Sequence, residues 1–490
     1  MMKSTLKSVF LIVLISILGN ITSNAQVGIG TVTPNASSIL DVTSTTKGML
    51  TPRMTTAQKT AIVTPTDGLI VYDTDLKSFY YYNSTTSLWV KINSEADGRL
   101  KYKLIKSTDV LATVLATELA AGGGTKYLLD TGTLYEINGT IVFNFPIELN
   151  NAYFTGYDSG EDKIVRTSGD IFVGSTGGTI RALTIVASAG NVFNIDGAGT
   201  ASIIFRDCIT ANSASVGLLK NFSLVFVSII QYSGNTTGIT YENVTRLLLS
   251  NAGWFGNNAG TYEKLVGTFS LVAKQGGFSE VVGTSIGFDV STNPTISGDA
   301  ILEGTVFTGT LTTGKYVNPY TVGTYTGYNF NNRWNVRSSG ISTETDAVAT
   351  GDINFDYPVG SGASTNLTPT GTNVKLAGVT TSNNLFRFSR GGVDNRLQYL
   401  GTKRRFFRVS GAASFQANAT GTTYLFFIAK NGTVINQSKV YINSNSTTDI
   451  LALPIEAIVD LSTNDYIEVY AQRFSGTGNA LTVSMNVVVN

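Results

Sequence analysis

Four apolar runs decide how this chain folds: ASIIF at 201–205, FSLVFVSII at 222–230, RLLL at 246–249 and TFSLVA at 268–273. Comparable positions advance from Ile203 to Leu224, Leu247 and Leu271, in steps of roughly 20 to 25 residues, the length of one coil in a stacked repeat. Each coil of such a solenoid covers the apolar face of its neighbour. Two-residue hairpin signals are scarce between the runs, so parallel stacking is expected rather than a meander. The series extends toward the N-terminus through LYEI at 134–137, TIVF at 140–143, the stretch 180–187 and that at 191–195, and toward the C-terminus to 286–290. The spacing predicts a parallel β-helix over 126–315.

Outward from this shaft lie five segments of different composition. Residues 96–125 carry the one helical pattern of the mature chain, with Val110, Leu111, Val114, Leu115 and Leu119 on one side, Asp109 at the start and Gly122 to Gly124 at the end. A helix so placed is expected to cap the open end of the strand stack, whose edge would otherwise be free to aggregate. Residues 316–400, rich in Thr, Gly, Asn and Ser, read as a linker or loosely wound neck. Residues 401–490 alternate apolar and polar from Phe407 to Phe415, Tyr424 to Ile428, Ile467 to Ala471 and Leu481 to Val489, and Asn431-Gly432 is a type I′ hairpin signal. That spacing predicts an antiparallel sandwich or jelly roll. Residues 26–95 have irregular apolar spacing, with strands expected at 69–73 and 78–90 around a turn at Asp75, Leu76 and Lys77. Residues 1–25 have the form of an export signal: Lys3 and Lys7, the apolar run 8–19, and a small-x-small site at Ser23 to Ala25 that places cleavage between Ala25 and Gln26. The mature chain is then expected to carry no transmembrane anchor, because no later run approaches the length of a spanning helix.

Three segments resemble known families. The 26–95 stretch, with VGIGT at 27–31, LDV at 40–42, KGML and PRM at 47–54, GLIVYDT at 68–74, YYN at 81–83 and Trp89, resembles an N-terminal segment of exported Bacteroidetes surface proteins and of phage tail-fibre-like proteins. The resemblance implies an attachment or stalk segment and carries no catalytic residue. GTLYEINGTIVFNFPIEL at 132–149 resembles the opening coils of the pectate-lyase-like right-handed β-helix family, which holds polysaccharide lyases, glycoside hydrolases, phage tailspikes and plain structural shafts. YLFFIAKNG at 424–432 followed by VDLSTNDYIEV at 459–469 resembles the C1q/TNF-like jelly roll, with Asn464 where that family usually has Gly. This last resemblance implies a homotrimeric head.

Composition narrows the chemistry. The 490 residues include no histidine and one cysteine, Cys208. Histidine-based acid–base catalysis, thiolate clusters and an intrachain disulfide are therefore excluded. With 34 basic and 33 acidic residues and a net charge of +1, no global field exists to hold nucleic acid. No metal or cofactor is expected.

Carboxylates are the remaining acid–base pair, and the densest group is Asp158, Glu161 and Asp162, followed by Lys163. Glycoside hydrolysis needs two such groups flanking the bond, one of them protonated at working pH. The Gly-Ser setting of these three also fits a solvated turn. Asp207, between Arg206 and Cys208, is a second candidate, or a structural ion pair. A lyase would instead use Lys, Arg or Tyr as base. For binding, Trp254 with Phe255, Asn257 and Asn258 joins ring faces to amides, as sugar recognition does; Arg333 and Trp334 after Asn331 and Asn332 form a similar group. The basic run Lys403-Arg404-Arg405 with Arg408 suits phosphate or an acidic glycan, or a charge cluster at a domain junction. The expectation is an exported or surface-exposed trimeric fibre, an adhesin or phage-type receptor-binding protein, that recognises glycan or another receptor. The alternative is a tailspike-like depolymerase acting on the β-helix.

Overall fold

The computed structural model describes residues 2–18, 26–92 and 100–490, and the chain forms two compact units that meet in sequence between Arg99 and Leu100. In the larger unit the four runs become successive coils of a parallel solenoid with three faces. Strands Ser202–Ala211, Leu224–Ser233 and Arg246–Trp254 each lie across two faces, and a nine-stranded parallel sheet from Tyr127–Leu128 to Lys315–Asn318 makes the third. The inward ladder is Ile203, Val225, Leu247, Val272, Ala300 and Trp334, each paired laterally with the next. Leu224 and Leu271, which the sequence spacing suggested, stand one residue off this ladder and are half-buried.

The corner between the first two faces is a left-handed residue. Ala182, Asp207, Ile229, Asn251, Gly276 and Gly304 occupy equivalent positions with φ between 52° and 69°. One such residue turns the strand and resets its alternation. Val225 and Val227 point inward, Ser228 and Ile229 both point outward, and Ile230 and Tyr232 point inward again. The side-chain period of two therefore breaks once per coil.

Apolar rings run along the interior, with Phe143, Phe154, Phe172, Phe193 and Phe205 at centroid spacings of 6.1, 5.9, 5.6 and 5.2 Å. Such contacts add to the area each ring removes from water. Polar turns stack as well. Asn258 Oδ1 accepts from the Asn235 backbone at 2.9 Å, Asn235 Oδ1 accepts from the Ser213 backbone at 3.1 Å, and Ser213 Oγ accepts from Ala187 at 3.0 Å. This ladder satisfies backbone groups that burial would otherwise leave unpaired.

At its N-terminal end the solenoid is packed by two short helices, Leu111–Val114 and Ala116–Ala121, in place of the single expected helix. Leu115 sits at the break with its side chain buried. Glu118 ties this segment to the first coils, accepting from Lys103 at 2.5 Å and from the Tyr135 hydroxyl at 2.9 Å.

The shaft does not stop at residue 315, nor is 316–400 a linker. Strand Trp334–Ser339 adds a further coil onto Ala300–Thr308. Beyond it, Gly351–Asp356 and Ala363–Thr365 pair with Ala480–Val489, and Val374–Lys375 and Leu397–Tyr399 pair with Tyr466–Ser475. These strands are short, and their buried apolar residues, among them Ile353, Leu367, Leu376 and Leu397, come singly among turn formers. Gly351–Asp356 alternates, through Ile353 and Phe355, but that run is too short to stand out as a strand. The C-terminal part of the unit thus begins near Gly351 and consists of two antiparallel sheets over one core that includes Phe407, Phe415, Phe426 and Val487. Strand Ile450–Leu461, paired along its length with Arg405–Ala417, completes the first sheet. The Asn431-Gly432 turn has φ of 49° and 77°, as a type I′ hairpin requires, and Asn464 has φ of 71°, a position where Gly or Asn fits best.

The smaller unit holds a parallel pair, Val27–Ile29 with Leu40–Val42, and a four-stranded sheet of Arg53–Met54, Ile70–Asp73, Ser78–Asn83 and Leu88–Lys91. Asp73 explains part of the GLIVYDT motif. Its carboxylate meets Lys59 Nζ at 2.7 Å and accepts from Thr56, Asp75 and Leu76. Burial works against this charge, yet Lys59 and the three other donors hold its pKa down at about 2. Met2–Leu18 is helical. The expected cleavage point falls partly at Ala25, outside the described residues, while Gln26 donates to the carbonyls of Asn35 and Ala36. Among the described residues no helix is long and apolar enough to cross a membrane.

Candidate functional sites

The first carboxylate group lies in the turn that leads into strand Lys163–Arg166. Asp162 is buried there and accepts from the backbones of Gly139 at 2.8 Å, Tyr157 at 2.7 Å and Asp158 at 3.0 Å. Burial disfavours its charge, but the three N–H donors outweigh burial and its pKa lies below the ordinary carboxylate value. A group held ionised in this way cannot serve as the proton donor of a glycosidase. Asp158 and Glu161 are exposed, and Asp158 spends one oxygen on the backbone of Gly160 at 2.7 Å. The trio closes a turn.

Asp207 occupies a left-handed corner and meets Arg206 Nε at 2.9 Å and Arg181 Nε at 3.3 Å. It clamps two neighbouring coils and has no second carboxylate beside it in these contacts. Cys208, next along, is buried with its thiol pushed up to about 12 by desolvation, an inert core group.

The two tryptophans named from the sequence are interior residues, which corrects their reading as ring platforms. Trp254 is 0% exposed and lies between Tyr232 and Tyr262, with centroids at 3.8 and 5.0 Å and near-parallel planes. Trp334 is buried against Phe330, and its Nε1 donates to the Tyr320 hydroxyl at 3.1 Å. Neither can lie against a sugar. The corner at Asn251 is the cause. Counting by twos from Leu247 puts Trp254 outside, but the left-handed residue shifts the phase by one and turns Trp254 in and Phe255 out. Asn258 is also structural, as a rung of the polar ladder.

Phe255 and Asn257 remain at the surface. With Gln231, Ser233, Glu280 and Val282 they line an open depression of about 520 Å³ on the second face. Asn257 is partly committed, accepting from Gly234 and donating to Ser233 at 3.0 Å each. Glu280 accepts from Gly256 at 2.8 Å. Sequence reasoning missed Gln231 and Glu280, which come from adjacent coils and meet Phe255 only through the solenoid register. Arg333 is exposed at the edge of the last coil.

Beneath this face lies a buried polar nest. Lys274 Nζ and Glu263 Oε2 are 2.8 Å apart with both side chains 1% exposed, the buried hydroxyls of Tyr232 and Tyr241 pair with each other, and the buried polar atoms of Trp254 and Ser279 have no hydrogen-bond partner among the described residues. Nothing in it opens to the surface, so it serves the interior rather than a substrate.

Among the described residues no group of three or more acidic or cysteine side chains is arranged to hold a metal. Comparison with known proteins finds that residues 28–109 match the family described as "Phage tail like trimerisation region". No curated protein matches the chain. Among solved structures, the enzymatically active domain of tailspike protein 4 of bacteriophage CBA120 aligns over 90% of this chain and 77% of that one, at 10% identity and a TM-score of 0.28. The chain is thus similar to phage tail proteins in its N-terminal segment, and no residue role is carried over from the tailspike.

Proposed function

We propose that this protein is an exported, homotrimeric fibre of the phage-tail type that recognises a surface glycan or another receptor and does not cleave it. The observation that carries the reading lies in the segment matched to the trimerisation family. Val32, Ile39, Leu50 and Val63 there are 98, 82, 77 and 84% exposed, and between residues 28 and 92 Val71 is the one apolar side chain in the buried core. Such a segment gains little by folding alone and much by wrapping around two further copies. The C-terminal sheets are read as a C1q/TNF-like jelly roll, a second trimeric element. Their outer face leaves Phe406 and Ile458 68 and 75% exposed, apolar surface that a neighbouring copy would cover.

Binding is preferred to cleavage because Asp162 is held ionised by a turn and Asp207 is committed to two arginines, which leaves no paired acid and base among the sequence-named carboxylates. The test incubates residues 26–490 with a panel of bacterial and algal polysaccharides and follows retention and chain length together. Retention with unchanged chain length is the expected result. Shortened chains would replace this reading with a depolymerase.

A further inference from the structure

The last solenoid coil and the lead-in to the C-terminal sheets enclose a cavity of about 400 Å³, of a size that takes a small ligand. Its floor is strand Trp334–Ser339. Trp334 and Val336 of that strand are buried, so Asn335 and Arg337 point out, laterally paired with Ile301 and Glu303 of the preceding coil. Its wall is the run Lys403, Arg404 and Arg405. The sequence offered that run as a charge cluster without saying what faced it. The solenoid register supplies Arg337 and Asn335.

A charge audit separates the cations that hold the wall from those left over. Arg405 donates to the Asp346 carbonyl and stacks over Phe407 at 4.8 Å. Arg404 is bidentate on Asp460, at 2.8 and 2.9 Å from Nε. Asp346 is buried and neutralised by Arg387, and accepts from the backbones of Thr402 at 3.1 Å and Lys403 at 2.8 Å. Arg408 lies outside the cavity and pairs with Glu456 at 2.8 Å. Arg337 and Lys403 are exposed and have no acidic partner within ion-pair distance among the described residues. Glu303 is the one carboxylate of the lining left without a cation, and beside Arg337 it tempers the field without removing it.

The cavity is also fixed in shape. Arg387, 1% exposed and in the left-handed region with φ of 57°, donates to the carbonyls of Trp334 and Glu344 as well as to Asp346. It fastens the last coil to the C-terminal sheets through groups buried on both sides. Two free cations and an uncommitted amide carried on a fixed floor and wall converge on a place for an anion.

The geometry points to this cleft as a subsite for an acidic sugar, its carboxylate or sulfate ester held by Arg337 and Lys403 and its hydroxyls by Asn335. This assignment deepens the glycan reading above and rests on it. The test uses the 26–490 chain with soluble polygalacturonate, dextran sulfate and neutral dextran as probes. The Arg337→Gln/Lys403→Gln double variant is compared with Arg333→Gln, an exposed arginine outside the cleft.

The double variant is expected to bind the acidic polymers about tenfold more weakly or worse, with unchanged thermal midpoint, while R333Q binds as the parent does. Preference between polygalacturonate and dextran sulfate identifies the anion. Equal losses in both variants would mean diffuse charge attraction and would overturn the subsite. So would full binding by the double variant, or a parent that retains neutral dextran alone. A monomeric parent with cleft binding intact would instead sink the fibre reading and leave the subsite standing.

Discussion

The solenoid buries its own apolar residues, whereas residues 26–92 leave theirs outside. From Ile105 to Val336 the inward positions of successive coils form one continuous buried cluster. In the shorter segment Val27, Ile29, Leu40, Val42 and Leu88 are all at least 44% exposed. Both regions are strands joined by polar turns, so composition does not separate them. The difference is where the next layer comes from. A coil is covered by the following coil of the same chain. A three-residue parallel pair has little of its own to lie against, and other copies are proposed to supply the cover.

The largest effect is expected from putting charge where copies are proposed to meet. Ile29→Asp combined with Leu40→Asp should abolish the trimer, read as a fall in solution mass, while the far-ultraviolet spectrum of the solenoid stays. Trp254→Ala attacks the other side of the comparison. It removes a ring stacked on both faces and should cost about 3–5 kcal/mol in chemical denaturation of the larger unit, with the mass unchanged. If Trp254 were a sugar platform, the same change would instead lower retention and spare stability.

Asn258→Ala removes a rung of the polar ladder and leaves buried backbone donors and acceptors unpaired, a loss of about 1–3 kcal/mol by the same denaturation. A gain is expected at Ile229. This β-branched residue holds a left-handed corner with φ of 56° and is 53% exposed, at a position filled one coil later by Asn251. Ile229→Asn should stabilise the unit by about 1 kcal/mol.

A pH dependence is expected within residues 26–92. Asp73 has its pKa lowered from 3.8 to about 2. Its contribution is complete above the unfolded value of 3.8 and is lost as pH falls through about 2. Acid titration of the hairpin signals by nuclear magnetic resonance should show that loss. Asp73→Asn should remove the acid slope.

Much of the architecture is legible in the residues, and the misses have physical causes. A coil of near-constant length leaves its period in the sequence, so the shaft can be read from four runs. The inward register cannot, because a left-handed residue per coil breaks the alternation on which such counting relies. That cause turns Trp254 from ligand platform to core, while Leu224 and Leu271 miss the ladder because the adjacent Val225 and Val272 take the inward position. The strands between 351 and 399 escape notice because each offers one or two apolar anchors and most take partners from residues far along the chain, as Val374 does from Ala471. The cleft at Arg337 is invisible for the same reason: Arg337 and Lys403 become neighbours only when the last coil docks on the sheets that follow.

The most direct measurement is the solution mass of residues 26–490 at micromolar concentration by sedimentation equilibrium. A mass three times that of the single chain, stable on dilution and lost in the Ile29→Asp/Leu40→Asp variant, is the expected result. A single-chain mass at those concentrations would contradict the account, since the apolar side chains of residues 26–92 would then stand uncovered in water.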